Sequence, residues 1–351
     1  MQKDFHFYGI YVLCRCKGMP PEYSKIVAYS SQHTDDAKYG HALKFENGGY
    51  FKQALCAHRF MHPDVFSLDT QYGVYIPFHF IPGDVGNGFQ ERMLCRENGD
   101  IAQEMMREVW KLKEKPYNLH RLGIALHAYA DTWAHKDFSG LQTGLNDIDD
   151  IDVRNEEKKA IPKIFAHFFR NVTEAVIPRV GHAEAATIPD EPYREWSYYN
   201  VYEDRQIYRR NWMLYLDASR AIYQEIKFFL RKNPEFKATK SVVHWGNVRS
   251  PLRIQLMFKG SLEERCRNWV EKINASAFGF ECLPEDKYLT YDDREWFRDA
   301  VEVKSEKGET DKYYRKKDFH QSNWKNFHDA ALSHRFFVHN ELLAPREIIC
   351  S

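Results

Sequence analysis

Several common classes of protein are excluded by what this chain lacks. Its seven cysteines, at positions 14, 16, 56, 95, 266, 282 and 350, form no CxxC pair and are odd in number. This argues against a cysteine-rich zinc knuckle or a disulfide framework, and for a reducing compartment. No run of about 18 uninterrupted apolar residues occurs, so no membrane span is expected. The opening Met1-Gln-Lys-Asp-Phe-His-Phe7 lacks the charged segment, apolar run and cleavage site of a secretory leader, which makes the cytoplasm the expected location. Excess charge is missing too. Fifty basic residues balance fifty acidic ones, so no global field exists to hold a long polyanion or an anionic membrane. Strong nucleic-acid affinity is therefore not expected, while a small substrate or a locally positive groove remains open. HExxH, P-loop lysine and GxSxG patterns are all absent, which removes the common zinc protease, nucleotide hydrolase and serine esterase signatures.

What the chain does have is apolar mass and histidine. Of its 351 residues 43% are hydrophobic, ample for a full core, and sixteen are histidines. Helical periodicity outnumbers strand-like alternation. Ile101, Met105, Val109 and Leu112 form a core-facing stripe, and Trp212, Leu216, Tyr223, Ile226 and Leu230 form another. Ser261-Leu-Glu-Glu264 reads as a capping box opening a helix with Leu262, Cys266, Trp269 and Val270 inward. Trp324, Phe327, Ala331, Arg335 and Val338 mark a last helix, with His328, His334 and His339 at its packing edge. Residues 4–16 are apolar enough to be either helix or strand, and Tyr72–His79 reads as a short extended run. Glu46–Gly49, Pro82–Gly88 and Asn146–Asp150 read as loops, and the charged stretch 303–318 as a solvated linker or surface loop. The expectation is one large, all-α, multi-helix domain spanning 1–351, whose last helix packs back after that loop.

The segment Leu122-Gly-Ile-Ala-Leu-His-Ala-Tyr-Ala-Asp-Thr-Trp-Ala-His135 carries His127, Asp131 and His135 in i, i+4, i+8 register. Fourfold spacing keeps the three on one helix face. The remaining faces are apolar, so the helix is expected to be buried all round. Asp131 is then a carboxylate far from water, which must be hydrogen-bonded, ion-paired or bound to a metal. A buried polar network is the plainer alternative, but three metal-competent groups on one apolar helix favour ligation. Other His and Asp clusters occur at Asp4-Phe-His6, at Ser30-Ser-Gln-His-Thr-Asp35-Asp36, at His79 to Asp84 and at His182 to Asp190. His328-Asp329 is an adjacent pair of the kind that HD-type phosphohydrolases use, but those also need a later Asp, and none follows residue 329.

Taken together, Asp4-x-His6, "SSQHTDD", "PFHFIPGD", "LGIALHAYADTWAHKDFSG" and "GHAEAATIPD" resemble an uncharacterised bacterial domain family. Its helix motif is similar to that of the zinc-dependent phospholipase C and single-strand nuclease superfamily. The resemblance covers roughly residues 1–190 and implies two to three zinc ions. It puts His79, His127 and Asp131 on one ion, with Asp131 bridging to a second ion held by His6 and Asp4. His135, His182 and Asp190 hold the remaining ion, and Asp35 or Asp36 assists attack. Three departures mark that set. The superfamily usually has five residues between the bridging Asp and the next His, whereas Asp131 and His135 have three. The superfamily's His-x-x-x-Glu pair would place a carboxylate at position 186, which is alanine, so Asp190 is preferred to Glu184 as the substitute. Asp4 takes the place that secreted members give to a processed N-terminal residue. The implied activity is metal-assisted hydrolysis of a small phosphoester, the rival being a metal-stabilised binding or scaffold protein without turnover.

Overall fold

The structure is a computed structural model and describes residues 1–57, 67–111, 115–154, 181–238, 242–305 and 310–349. Among the described residues, the α-helices of six residues or more are α1 (Ile10–Cys16), α2 (Pro21–Asp36), α3 (Asp100–Lys111), α4 (Asn118–Ala134), α5 (Asn211–Lys232), α6 (Trp245–Leu256), α7 (Leu262–Asn274), α8 (Glu295–Ala300) and α9 (Asn323–Phe336). α4 lies at the centre, packed by α2, α3, α5 and α9. All of its residues are buried, as an apolar circumference demands. The ambiguous segment 4–16 is helical, a π-helical stretch Asp4–Gly9 running into α1. The capping box at Ser261 forms, with the Ser261 hydroxyl accepting from Glu264 N and the Glu264 carboxylate accepting from Ser261 N. The stripe at 101–109 lies on α3, while Leu112 falls outside the described residues.

The all-α expectation is overturned: the fold is mixed, 56% helix and 12% strand in three small sheets. β1 (Ala42–Lys44) and β2 (Tyr50–Lys52) form one hairpin, turning at the expected loop Glu46–Gly49. β3 (Ile148–Val153), β4 (Glu195–Asn200) and β5 (Arg205–Arg210) form an antiparallel sheet in that order. β6 (Val301–Lys304) and β7 (Lys312–Arg315) form a third pair, β6 running into and β7 lying within the charged stretch 303–318 read as a linker or surface loop. Strands of three to six residues are too short for alternation to stand out from a helical background. Their partners supply the order instead. The presumed loop at 146–150 likewise feeds directly into β3, and Tyr72–His79 is not extended: it holds a π-helical stretch Gln71–Tyr75 and a turn of helix Ile76–Phe78.

Two packing facts position the site. Gly123 on α4 lies so close to α2 that an added Cβ would sit 2.3 Å from the Val27 carbonyl oxygen and 2.6 Å from Ser30 Cβ. That crossing brings the C-terminal end of α2, with Asp35, beside His127 one turn further along α4. A second apolar cluster joins Tyr75, Phe80 and Phe138 to Ile148, Ile188, Trp196 and Tyr198, so the β3–β5 sheet anchors the segment 181–190. Gly123→Ala is expected to force the helices apart, lowering stability by roughly 1–3 kcal/mol. Chemical denaturation reads this directly, and an unchanged midpoint would show that the crossing is not tight.

Candidate metal centre

Asp131 sits in the middle of the site, 1% exposed, and its two oxygens face different partners. Oδ1 lies 3.2 Å from His6 Nε2 and 2.9 Å from the Met1 α-amino nitrogen. Oδ2 lies 3.3 Å from His127 Nε2, 3.4 Å from His79 Nδ1 and 3.8 Å from His135 Nδ1. Burial alone would raise this carboxyl, but the Met1 ammonium and His135, His127 and His6 hold it well below the usual carboxylate range. The helix register read from the sequence is what delivers three of these groups to one face.

The outer nitrogens decide the character of the histidines. His79 Nε2 is 2.9 Å from the Cys56 carbonyl oxygen, His135 Nδ1 is 2.8 Å from the His79 carbonyl and His182 Nδ1 is 3.1 Å from the Ala186 carbonyl. A ring nitrogen bonded to a carbonyl must carry the hydrogen, so in each neutral ring the other nitrogen bears a lone pair. Those lone pairs face carboxylates. His79 Nδ1 faces Asp131 and, at 3.8 Å, Asp35; His135 Nε2 faces Asp190 Oδ1 at 3.5 Å; and His182 Nε2 faces Asp190 Oδ2 at 3.6 Å. Lone pair against carboxylate is repulsive unless a cation lies between them. Histidines fixed through one nitrogen by a carbonyl and offering the other inward are the usual arrangement around a bound metal ion. Burial lowers His182 to about 4 despite Asp190, and burial with His127 lowers His6 well below its ordinary value, so both are neutral imidazoles. His79 goes the other way: Asp131 and Asp35 outweigh burial and raise it, so without a cation in the site its Nδ1 takes a proton and donates to Asp131 in place of offering a lone pair.

Three groups among the described residues could each hold a metal ion: His6, His127 and Asp131; Asp35, His79 and His127; and His135, His182 and Asp190. Asp35 is thus in the cluster, 3.6 Å from His127 Nε2 and 32% exposed, with burial raising its carboxyl against the pull of His127 and His79. Asp36 is turned out of it, accepting from Gln32, Lys38 and Tyr291. Asp4 is also turned away. Its carboxylate accepts from Arg265 Nε at 2.7 Å, and the group between Asp131 and Asp190 is instead the Met1 amine, 2.9 and 3.0 Å from them. Sequence alone hides this because Arg265 arrives from α7, far along the chain. Glu184 has another task, accepting from Ile148 N at 2.8 Å where β3 begins.

The 181–190 segment is shaped for its role. Gly181 adopts φ +58°, and a Cβ there would lie 2.4 Å from Phe80, whose ring stacks on His135. Ala186 takes φ 51°, an uncommon left-handed position for a residue with a Cβ, and its carbonyl is the one that orients His182. Asn211 Nδ2 donates to the Ile188 and Glu191 carbonyls at 2.7 and 2.9 Å, and Tyr215 Oη donates to the Pro189 carbonyl, which pins Asp190 from α5.

The chain matches the family of unknown function DUF6765 over residues 1–342. It belongs to that family. No curated protein and no solved structure matches it. Among the described residues no helix is long and apolar enough to cross a membrane.

Because Asp4 serves Arg265 and not the centre, Asp4→Asn is expected to leave metal content per folded chain unchanged. It strands a buried guanidinium and lowers stability by on the order of 3 kcal/mol. Elemental analysis and thermal melting on one sample check both halves, and a loss of one ion would return Asp4 to the ligand set.

Proposed function

We propose that this protein is a multi-zinc hydrolase of small phosphoesters. The observation that carries the reading is Asp131, a buried carboxylate whose two oxygens address separate histidine sets, as a bridge between two cations would. The donor set is imidazole and carboxylate without thiolate, which suits zinc and other divalent transition metals. His79, His127 and Asp35 would hold one ion, with Asp131 bridging from it to a second beside His6. His135, His182 and Asp190 would hold a third. Bound in pairs, such ions supply an activated water at neutral pH and neutralise charge on the attacked phosphorus.

The chain's own groups do the rest. Asp35 is the most exposed member of the set, and with Oδ1 turned to His79 and His127 its other oxygen stands at the open side, where it can orient a water. The Cys56, His79 and Ala186 carbonyls hold three imidazoles in single tautomers, so the donors are in place before anything binds. One observation favours the rival scaffold reading: His6, His127 and Asp131 are all 1% exposed or less, which is how a purely structural ion would be enclosed.

Protein purified without chelator should carry two to three zinc-like ions per chain and hydrolyse bis(p-nitrophenyl) phosphate, with chelator abolishing turnover reversibly. Full metal content with no action on phosphodiesters or phosphomonoesters would select the scaffold, and absence of metal would overturn both. Asp131→Asn keeps the shape but removes the charge shared by two cations. It should lose about one ion and at least about 10²-fold of the activity, whereas His182→Ala should empty only the ion it shares with His135 and Asp190. If instead both variants melt early with metal per folded chain unchanged, the cluster is a buried polar network and not a metal centre.

A further inference from the structure

We propose a second binding site, for a small oxyanion of the phosphate class, where Lys17 at the end of α1 meets Lys227 on α5 and Lys237 in the segment that follows α5. None of the three belongs to the His and Asp groups of the metal centre. The site stands whether or not that centre turns over substrate.

Unpaired buried charge is the first argument. Among the described residues six arginines and lysines are buried: Arg15, Lys17, Arg121, Arg194, Arg209 and Arg265. Arg15, Arg194, Arg209 and Arg265 each sit against a carboxylate, and Arg121 donates to His334. Lys17, 7% exposed, is the exception, with no carboxylate and no hydrogen-bond acceptor for its ammonium. Its nitrogen lies 3.5 Å from the centre of the Tyr223 ring, which steadies a cation but leaves the charge without a counter-ion. An ammonium withdrawn from water in this way is costly, and a bound anion would relieve it.

The fold then adds positive charge at the same place. The Cys16 and Gly18 carbonyls accept from Val243 N at 2.9 Å and Ala238 N at 2.7 Å, which ties the segment after α5 to the end of α1 and sets Lys237 near Lys17. Tyr223 is fixed through its hydroxyl, which donates to the Val243 carbonyl, and Lys227 follows it one turn later on the same face of α5. Lys227 and Lys237 are exposed, and among the described residues neither enters an ion pair. Burial first, then Lys227 and Lys237, push the Lys17 ammonium down to about 8, with the buried Cys16 thiol acting the other way and no Asp or Glu acting at all. Three ammonium groups without an acid suit a dianion better than a monovalent ion, and compact, freely rotating ammonium donors are a common means of holding phosphate.

Competitive labelling of the full chain with acetic anhydride, each lysine followed by peptide mass spectrometry, tests the site with inorganic phosphate as the probe. In phosphate-free buffer the Lys17 rate should rise with pH about a midpoint near 8. An anion held against the ammonium favours the charged form, so saturating phosphate should raise that midpoint by about one pH unit and slow labelling at pH 8 by about fivefold. Chloride at the same ionic strength should do neither. The double variant Lys227→Gln with Lys237→Gln, both exposed positions, should lose the protection by phosphate, and Asp131→Asn should keep it. Equal protection by chloride would reduce the effect to screening and overturn the site. Protection that survives in the double variant, or that disappears in Asp131→Asn, would place the anion elsewhere and overturn it too. A Lys17 that the reagent reaches at no pH would have the same force, since an anion could not enter either.

Discussion

Asp131 is the constraint that the centre of this molecule is built around. A carboxylate this far from water costs several kcal/mol unless cations and donors surround it. The groups that surround it come from every part of the first half of the fold: His6 from the π-helical stretch before α1, Asp35 at the end of α2, His79 after a short turn of helix, His127 and His135 from its own helix. A second carboxylate, Asp190, repeats the pattern with His135 and His182. His135 is shared, its ring lying between Asp131 on one nitrogen and Asp190 on the other. The two halves of the centre therefore cannot be positioned independently. The close crossing at Gly123 and the docking of the 181–190 segment on Phe80 both serve this convergence.

Histidine alone does not mark such a centre, and the same chain supplies the contrast. His328 and His334 are buried in α9, and the hydrogen bonds they make are to the protein's own groups. His328 Nδ1 accepts from Ala54 N, while His334 takes Arg121 on one nitrogen and donates to the Pro77 carbonyl at 2.8 Å through the other. Neither ring presents a lone pair to a carboxylate. His79, His135 and His182 each turn one ring nitrogen to a carboxylate, and each is held by a carbonyl on the other. Burial is common to both sets. The difference lies in what the second nitrogen faces, and that is a property of neighbours and not of the residue.

This distinction explains how far the sequence could be read. Periodicity was sufficient for α4, because an i, i+4, i+8 register is local and the helix is buried on every side. Motif spacing points at position 186 and so selects neither Asp190 nor Glu184, which reads as solvated surface; the structure puts Asp190 with His182 and Glu184 on the β3 backbone. Choosing between Asp35 and Asp36 needed more. Neighbours on a helix point about 100° apart, and only the approach of α4 on one side and Tyr291 on the other decides which looks inward. Asp4 was legible as an acid two residues from His6 but not as the partner of Arg265, since that contact spans most of the chain. The three sheets were missed for a related reason. Their strands are short, and each is defined by pairing, as Trp196 with Arg209 and Tyr198 with Ile207, more than by its own alternation. The Tyr72–His79 run, rich in β-formers, was pulled into helix by the packing of Phe78 and His79 against α4 and α9.

Exposure within the centre has a direction. His6, His127 and Asp131 form the closed side, while Asp35, His182 and Asp190 are 32%, 13% and 18% exposed. A small molecule approaching from solvent therefore meets Asp35 over one group and His182 with Asp190 over the other before it meets Asp131. These rim residues carry opposite tendencies. Asp35 is shifted upward, toward holding a proton, whereas the Met1 ammonium, His182 and His135 overcome burial to keep Asp190 ionised. On the proposed reading, the more exposed Asp35 is where an incoming molecule meets the centre, and Asp190, held between His135, His182 and the Met1 amine in a segment pinned from α5, is the anchored side.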